Sequence, residues 1–317
     1  MTPTNQGSIR LFRAAGIDLY LHWSWFLVAY YQISLRAGGY TSLTWNVLEY
    51  LALFCIVLLH EFGHALACRQ VGGRAERIVL WPLGGVAYVD PPQRPGATLW
   101  SIAAGPLVNV ALIPVLLLAV RLAQASGLAQ TMPDAFRLLR TVAFINLGIL
   151  IFNLLPIYPL DGGQILRSLL WFPFGRAWSL MVATVVGFVG VAGLFLLAVV
   201  EQSTWIGILA VFILLNCWRG LRSAIALVRA GRRPRREGLG CPACRTAPPL
   251  GPFWTCARCH TPFDMFETRA VCPGCGGTYI GTWCLDCGTV NPVHAWTLPT
   301  PTQNLPPVDI AADPRPS

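Results

Sequence analysis

The sequence predicts an α-helical polytopic membrane protein of about six transmembrane helices, with a short β-hairpin on its cytoplasmic side and a small cysteine-rich module after the last helix. Three observations predict it. Of the 317 residues, 55% are hydrophobic and only 12% charged, where a soluble domain carries about a quarter charged residues. Apolar runs near the ~20 residues that a spanning helix needs recur through the first 228 positions. Eight of the eleven cysteines fall between Cys241 and Cys287, beyond the last of those runs.

The runs lie at about 17–36, 46–69, 98–121, 141–160, 179–200 and 204–228, the first and fourth interrupted by polar or proline residues. The N-terminus is polar, and the first run lacks a small-residue cleavage site, so no cleavable signal peptide is expected. Between the second and third runs, Ile78-Val79-Leu80 and Val86-Ala87-Tyr88-Val89 flank Trp81-Pro82-Leu83-Gly84-Gly85, which reads as a hairpin or re-entrant turn. Arginine placement sets the orientation. With a cytoplasmic N-terminus, the inside segments hold Arg10, Arg13, Arg74, Arg77, Arg94, Arg167 and Arg176, then a dense run from Arg219 to Arg236. Only Arg36, Arg121, Arg137 and Arg140 fall outside. Both termini are therefore expected in the cytoplasm, on a multi-pass protein of the cell inner or plasma membrane. The expected organisation is a membrane domain over 1–228, a basic linker over 229–240, the cysteine module over 241–296 and a disordered proline-rich tail over 297–317.

The second run contains His60-Glu61-Phe62-Gly63-His64. Positions i and i+4 share a helix face, so the two imidazoles can hold one Zn²⁺ while Glu61 addresses a water beside it. An unbroken apolar approach, Tyr50 to Leu59, precedes the motif. Ionisable groups there are costly unless they serve a function, which weighs against mere structural contacts between helices. From His60 to Arg69 is nine residues, or ~13 Å along a helix, so the centre is expected inside the membrane but nearer the cytoplasmic face. A catalytic zinc takes three protein ligands and keeps one position open. The best third candidate is Asp161, which follows the helix-breaking Pro156 and Pro159 and precedes Gly162-Gly163, read as a tight turn beside the metal.

On these residues the chain resembles the site-2 protease family of intramembrane zinc metalloproteases, in the branch similar to the sporulation sigma-factor-processing protease. The resemblance rests on His60, Glu61 and His64 and on Asn153, Pro156 and Asp161-Gly162. Support comes from Ile17 to Ser24, from Pro82-Leu83-Gly84-Gly85-Val86 and from Ala104-Gly105-Pro106-Leu107-Val108-Asn109, reaching over about residues 9–165. It implies cleavage of a transmembrane helix close to the cytoplasmic leaflet, and a place for Asn153 near the substrate strand. For Gly105 and Asn109 close helix packing is the first reading, with Asn109 as a substrate-positioning group the second. His22 is read as structural, through a hydrogen bond between helices. Members of this branch often carry a nucleotide-binding regulatory domain after the last span; here a cysteine module stands in its place.

That module contains Cys241-Pro-Ala-Cys244, Cys256-Ala-Arg-Cys259, Cys272-Pro-Gly-Cys275 and Cys284-Leu-Asp-Cys287, with 11 residues between the first two pairs and 8 between the last two. Four such knuckles predict two structural Cys₄ zinc sites in a module resembling a double zinc ribbon. The simplest grouping puts Cys241, Cys244, Cys256 and Cys259 on one ion and Cys272, Cys275, Cys284 and Cys287 on the other; an interleaved grouping is equally legal from spacing. Arg245, Arg258 and Arg269 are balanced by Asp264, Glu267 and Asp286, so the module has no electrostatic footprint for nucleic acid. The Arg229–Arg236 run reads as an anchor to anionic lipid. Phe253, Trp254, Phe263, Phe266, Tyr279 and Trp283 read as a small core, with a peptide-docking face as the alternative. Cys55, Cys68 and Cys217 read as small buried hydrophobes.

Taken together, the expectation is a zinc-dependent intramembrane endopeptidase acting on a membrane-embedded protein, with three zinc ions per chain and the ribbons available to a protein partner. The alternative is a non-catalytic zinc-binding scaffold or sensor. A metal transporter ranks last, because the motif clusters at one depth instead of lining a path.

Overall fold

The computed structural model describes residues 7–35, 38–81, 84–232, 234–287 and 289–296. The hairpin turn residues Pro82 and Leu83 and the expected disordered tail over 297–317 lie outside them. The chain divides into two compact units, Met1–Arg229 and Ala230–Ser317.

The first unit opens with the antiparallel pair β1 (Ser8–Ala14) and β2 (Ile17–His22), followed by a short helix α1 (Ser24–Leu35) and by α2 (Leu43–Gln70). A second antiparallel pair, β3 (Arg74–Trp81) and β4 (Gly84–Asp90), precedes α3 (Pro95–Ala125), the one-turn α4 (Leu128–Thr131), α5 (Pro133–Leu154), α6 (Asp161–Val200) and α7 (Thr204–Gly231). Among the described residues, α2, α3, α5, α6 and α7 are long and apolar enough to cross a membrane. The expected first span, 17–36, is not. Its opening residues form β2, and α1 has 12 residues, ~18 Å of helix against ~30 Å of hydrocarbon. The cause is a period of two: Ile17 and Leu19, fully buried, alternate with Asp18 and Tyr20. A count of apolar residues does not register that alternation.

β2 pairs parallel with β3, which joins the two hairpins into one sheet of order β1-β2-β3-β4 with β4 at an edge. Ile17, Leu19, Ile78 and Leu80 of this sheet pack on Ala65 and Cys68 of α2 and on Trp25. Arg69, in the last turn of α2, locks the arrangement. Its guanidinium donates to the Ala15, Gly16 and Ala75 carbonyls, at 3.0 Å to Gly16 and 2.9 Å to Ala75. The helix bearing the histidine motif is thus fixed to the sheet at one end.

The expected fourth span, 141–160, is the helix Pro133–Leu154, displaced toward its N-terminus. Pro156 and Pro159 lie in the connection after it, as their missing N–H groups dictate. α6 is broken at Gly175, whose φ of 74 follows Pro173, so the expected fifth span occupies its second segment.

The second unit is held by two short hairpins, β5 (Trp254–Thr255) with β6 (Pro262–Phe263) and β7 (Gly281–Trp283) with β8 (Val290–Pro292), followed by a 3₁₀ turn at Val293–Trp296. Trp254, Phe263, Met265 and Trp296 are buried, and Phe266 lies edge-on to both tryptophans at 5.4 and 5.0 Å. Trp283 departs from the expected core: it is 52% exposed.

Two arginines assigned to lipid anchoring have protein partners instead. Arg235 grips Asp286 with both terminal nitrogens at 2.8 and 2.9 Å, and Arg236 reaches Asp264 at 2.6 Å. A fork–fork pair of that kind adds geometric specificity as well as energy. The segment read as linker is also stitched in by Arg236 N–H to Pro248, Leu250 N–H to Pro234 and Gly240 N–H to Trp296.

Asp264 is the node of this unit, accepting from Arg236 and from the N–H groups of Gly251, Phe266 and Glu267 at 2.6 to 3.2 Å. Burial pushes its carboxyl up, but the Gly251 N–H, the Arg236 guanidinium and the two further N–H groups outweigh that and hold it below the usual range. A depressed folded-state value means stability that is complete above the unfolded value of about 4 and lost as pH falls below it. Asp264→Asn is therefore expected to destabilise the unit by about 3 kcal/mol at neutral pH, with the gap closing in acid. Hydrogen exchange over 264–270 in the full chain reads this; equal protection of variant and parent at pH ~7 would refute it.

Candidate active site and metal centres

α2 places His60, Glu61 and His64 at 4 to 6% exposure. α6 contributes Asp161 from its first turn. Gly162 and Gly163 make that approach achievable: a Cβ on Gly162 would fall 2.2 Å from the Leu154 carbonyl oxygen, and one on Gly163 2.4 Å from the Tyr158 nitrogen. The expected tight turn at these glycines is instead the start of α6, folded back without side chains onto the connection from α5.

His60 Nε2, His64 Nε2 and Asp161 Oδ2 converge at 3.0, 3.1 and 3.3 Å from one another. Their protonation follows from what stands behind the rings. His64 Nδ1 lies 2.9 Å from the Ser101 carbonyl, which can only accept, so Nδ1 carries a proton, and in the neutral ring Nε2 keeps a lone pair. His60 Nδ1 faces Asn109 Oδ1 at 2.6 Å, with the same consequence. With both rings neutral, three acceptors point at one spot. That is unfavourable in a buried site unless a cation stands between them, and two neutral imidazoles with a carboxylate are the donor set of a catalytic zinc with an open position. Gly105 of α3 lies directly against the pair: a Cβ there would come 2.3 Å from His64 Nε2 and 2.9 Å from His60 Nε2.

Asn153, in the last turn of α5, is half-buried, and its side chain makes no hydrogen bond with another described residue. Asn109 is fully buried, with its amide oxygen on the His60 ring at 2.6 Å. The sequence signal was present in Asn109 itself, a polar residue in an apolar span. His22 bonds locally to Ser24 Oγ at 2.5 Å and stacks on Trp81 at 3.9 Å, in place of the expected bond between helices. Cys68 and Cys217 are buried, whereas Cys55 is exposed.

The eight module cysteines form two groups, Cys241, Cys244, Cys284 and Cys287, and Cys256, Cys259, Cys272 and Cys275. The sequential grouping is thereby corrected to a nested one. Chain closure explains it. Gly240 bonds to Trp296 and Arg235 to Asp286, so the first knuckle is drawn to the last. The two middle knuckles are left to each other. The Sγ separations of 3.5 to 3.7 Å match the ~3.8 Å edge of a tetrahedron with ~2.3 Å zinc–sulfur bonds. Cys256 is held down to about 5, foremost by the Tyr279 hydroxyl donating at 3.0 Å, as suits a thiolate ligand.

A bundle of bilayer-length helices in which an HExxH helix meets a carboxylate from a neighbouring helix defines a polytopic membrane protein with a metallopeptidase-type centre. The description "Peptidase family M50" matches residues 49–137 and 120–197. The chain is 30% identical to the solved Site-2 Protease from Methanocaldococcus jannaschii, with a TM-score of 0.51, covering 68% of this chain and 95% of that one. This chain belongs to peptidase family M50, the site-2 protease family. Among curated relatives, the zinc metalloprotease MJ0392 of M. jannaschii is 37% identical over 180 residues, 57% of this chain and 50% of that protein. Stage IV sporulation protein FB of Bacillus subtilis is 34% identical over 184 residues, 57% of this chain and 61% of that protein. The chain thus spans about half the length of the curated relatives it matches. The cysteine module lies beyond the family match, which ends at residue 197.

Proposed function

We propose that this protein is a zinc-dependent intramembrane endopeptidase that cuts a transmembrane helix of a membrane-anchored substrate near the cytoplasmic leaflet. The observation that carries the reading is the convergence of His60 Nε2, His64 Nε2 and Asp161 Oδ2, three acceptors from two helices within 3.3 Å of one another. Zn²⁺ held there supplies Lewis acidity, polarising a peptide carbonyl and making water nucleophilic at neutral pH. Glu61, beside His60 and buried with it, takes the proton of the attacking water and returns it to the leaving amine. The eight module cysteines hold two structural ions, and both chain ends face the cytoplasm.

A helix in lipid buries its carbonyls in its own hydrogen bonds, so a substrate must unwind before Glu61 can act on it. β4 is the sheet edge nearest in sequence to the next span, and an unwound strand can pair along it. Prolines placed in 86–89, at positions whose N–H points away from β3, are expected to lower cleavage of a model substrate about 10-fold or more while leaving the zinc content unchanged. Intact cleavage in such variants would rule out edge pairing.

Proteomics of membrane fractions from cells with the parent chain or Glu61→Gln tests the whole reading. A helix fragment present with the parent and absent with the variant is expected. Identical fragment sets would favour the scaffold alternative.

A further inference from the structure

We propose that Asn146, on α5, is a positioning residue for the centre, acting through Asn109 to fix which ring nitrogen His60 presents. The inference rests on the metalloprotease reading above and concerns a helix that supplies no ligand. Asn146 Nδ2 donates at 3.0 Å to the Asn109 backbone carbonyl, which can only accept, so the orientation of the Asn146 amide is fixed. Its other atom, Oδ1, accepts from Asn109 Nδ2 at 2.8 Å. Asn109 Oδ1 is thereby turned to His60 Nδ1 at 2.6 Å. All three links are buried, with Asn109 and Asn146 at 0% exposure.

Without the clamp, the Asn109 amide is free to turn over and offer its NH₂ to His60. The ring then answers by carrying its proton on Nε2, where it can no longer bind a metal. A carboxylate at 109 has no such failing, because it accepts whichever way it faces.

The test uses the full chain in detergent, with zinc per chain read by mass spectrometry and zinc retention read by chelator competition. The two cysteine sites serve as an internal count. The parent and Asn146→Asp are expected to hold three ions, since a buried Asp in its protonated form repeats the donor and acceptor of Asn. Asn146→Leu, similar in volume, is expected to hold its third ion about 10- to 100-fold more weakly and to be isolated with two. Adding Asn109→Asp to Asn146→Leu restores the third. A purely packing role would give the reverse order, with Leu tolerated and Asp not.

Three ions of parental tightness in Asn146→Leu overturn the proposal. If neither Asn146→Leu nor Asn146→Ala yields folded chain holding the two module ions, the pair is a packing requirement and the proposal likewise fails. A parent chain with only two ions would sink the metal-centre reading itself, and this inference with it.

Discussion

Replacing Glu61 with Gln is expected to lower peptide-bond cleavage by about 10²- to 10⁴-fold, the usual contribution of a positioned general base, with three zinc ions still bound. Gln keeps the shape and burial of a side chain that is 6% exposed. Its neutral amide cannot take a proton at neutral pH. The ligand set does not include Glu61: the converging atoms belong to His60, His64 and Asp161. Loss of activity without loss of metal therefore separates the base from the ligands. The measurement is turnover of a membrane-embedded model substrate in proteoliposomes, paired with zinc counting on the same preparation. Cleavage within about twofold of the parent would leave Glu61 no role as the general base that takes the proton from water.

Much of the centre could be read from local spacing. His60 and His64 share a face because i and i+4 do so on any helix, and α2 carries them as that rule dictates. Pro156 and Pro159 announce the break after α5 because a missing N–H acts wherever it falls. What could not be read depends on closure over long separations. The parallel pairing of β2 with β3 joins residues nearly sixty positions apart, and Ile17 to His22 has the apolar content of a span until its alternation is weighed. The nested cysteine grouping follows from Gly240 meeting Trp296; the gaps of 11 and 8 residues say nothing about it. Arg235 and Arg236 looked like part of a lipid-facing charge run because their carboxylate partners lie tens of residues away. Asn109 was visible as a polar intruder in an apolar helix, yet the ring it supports belongs to another helix.

Gly105→Ala is expected to remove the third zinc ion and lower cleavage by about 10²-fold or more, the scale of a 1 Å misplacement at a reacting centre. Gly105 lies inside α3, where its backbone is ordinary helix, so what matters is the space its missing side chain leaves. A methyl group there meets His64 Nε2 at 2.3 Å, His64 Cε1 at 2.4 Å and His60 Nε2 at 2.9 Å. Something must move. α3 is held against α2 by the Ser101 carbonyl on His64 and by Asn109 on His60, so retreat of the helix would strip both rings of the acceptors that set their protonation. If the rings yield instead, their Nε2 atoms leave the point they share with Asp161 Oδ2. Both routes open the ligand triangle. Small residues at helix contacts in lipid usually serve packing alone, and an added methyl then costs about 1–3 kcal/mol of stability without altering metal content. Zinc counting distinguishes the two roles: two ions per folded chain mark Gly105 as the floor of the centre, whereas three ions with undiminished turnover would reduce it to a helix contact.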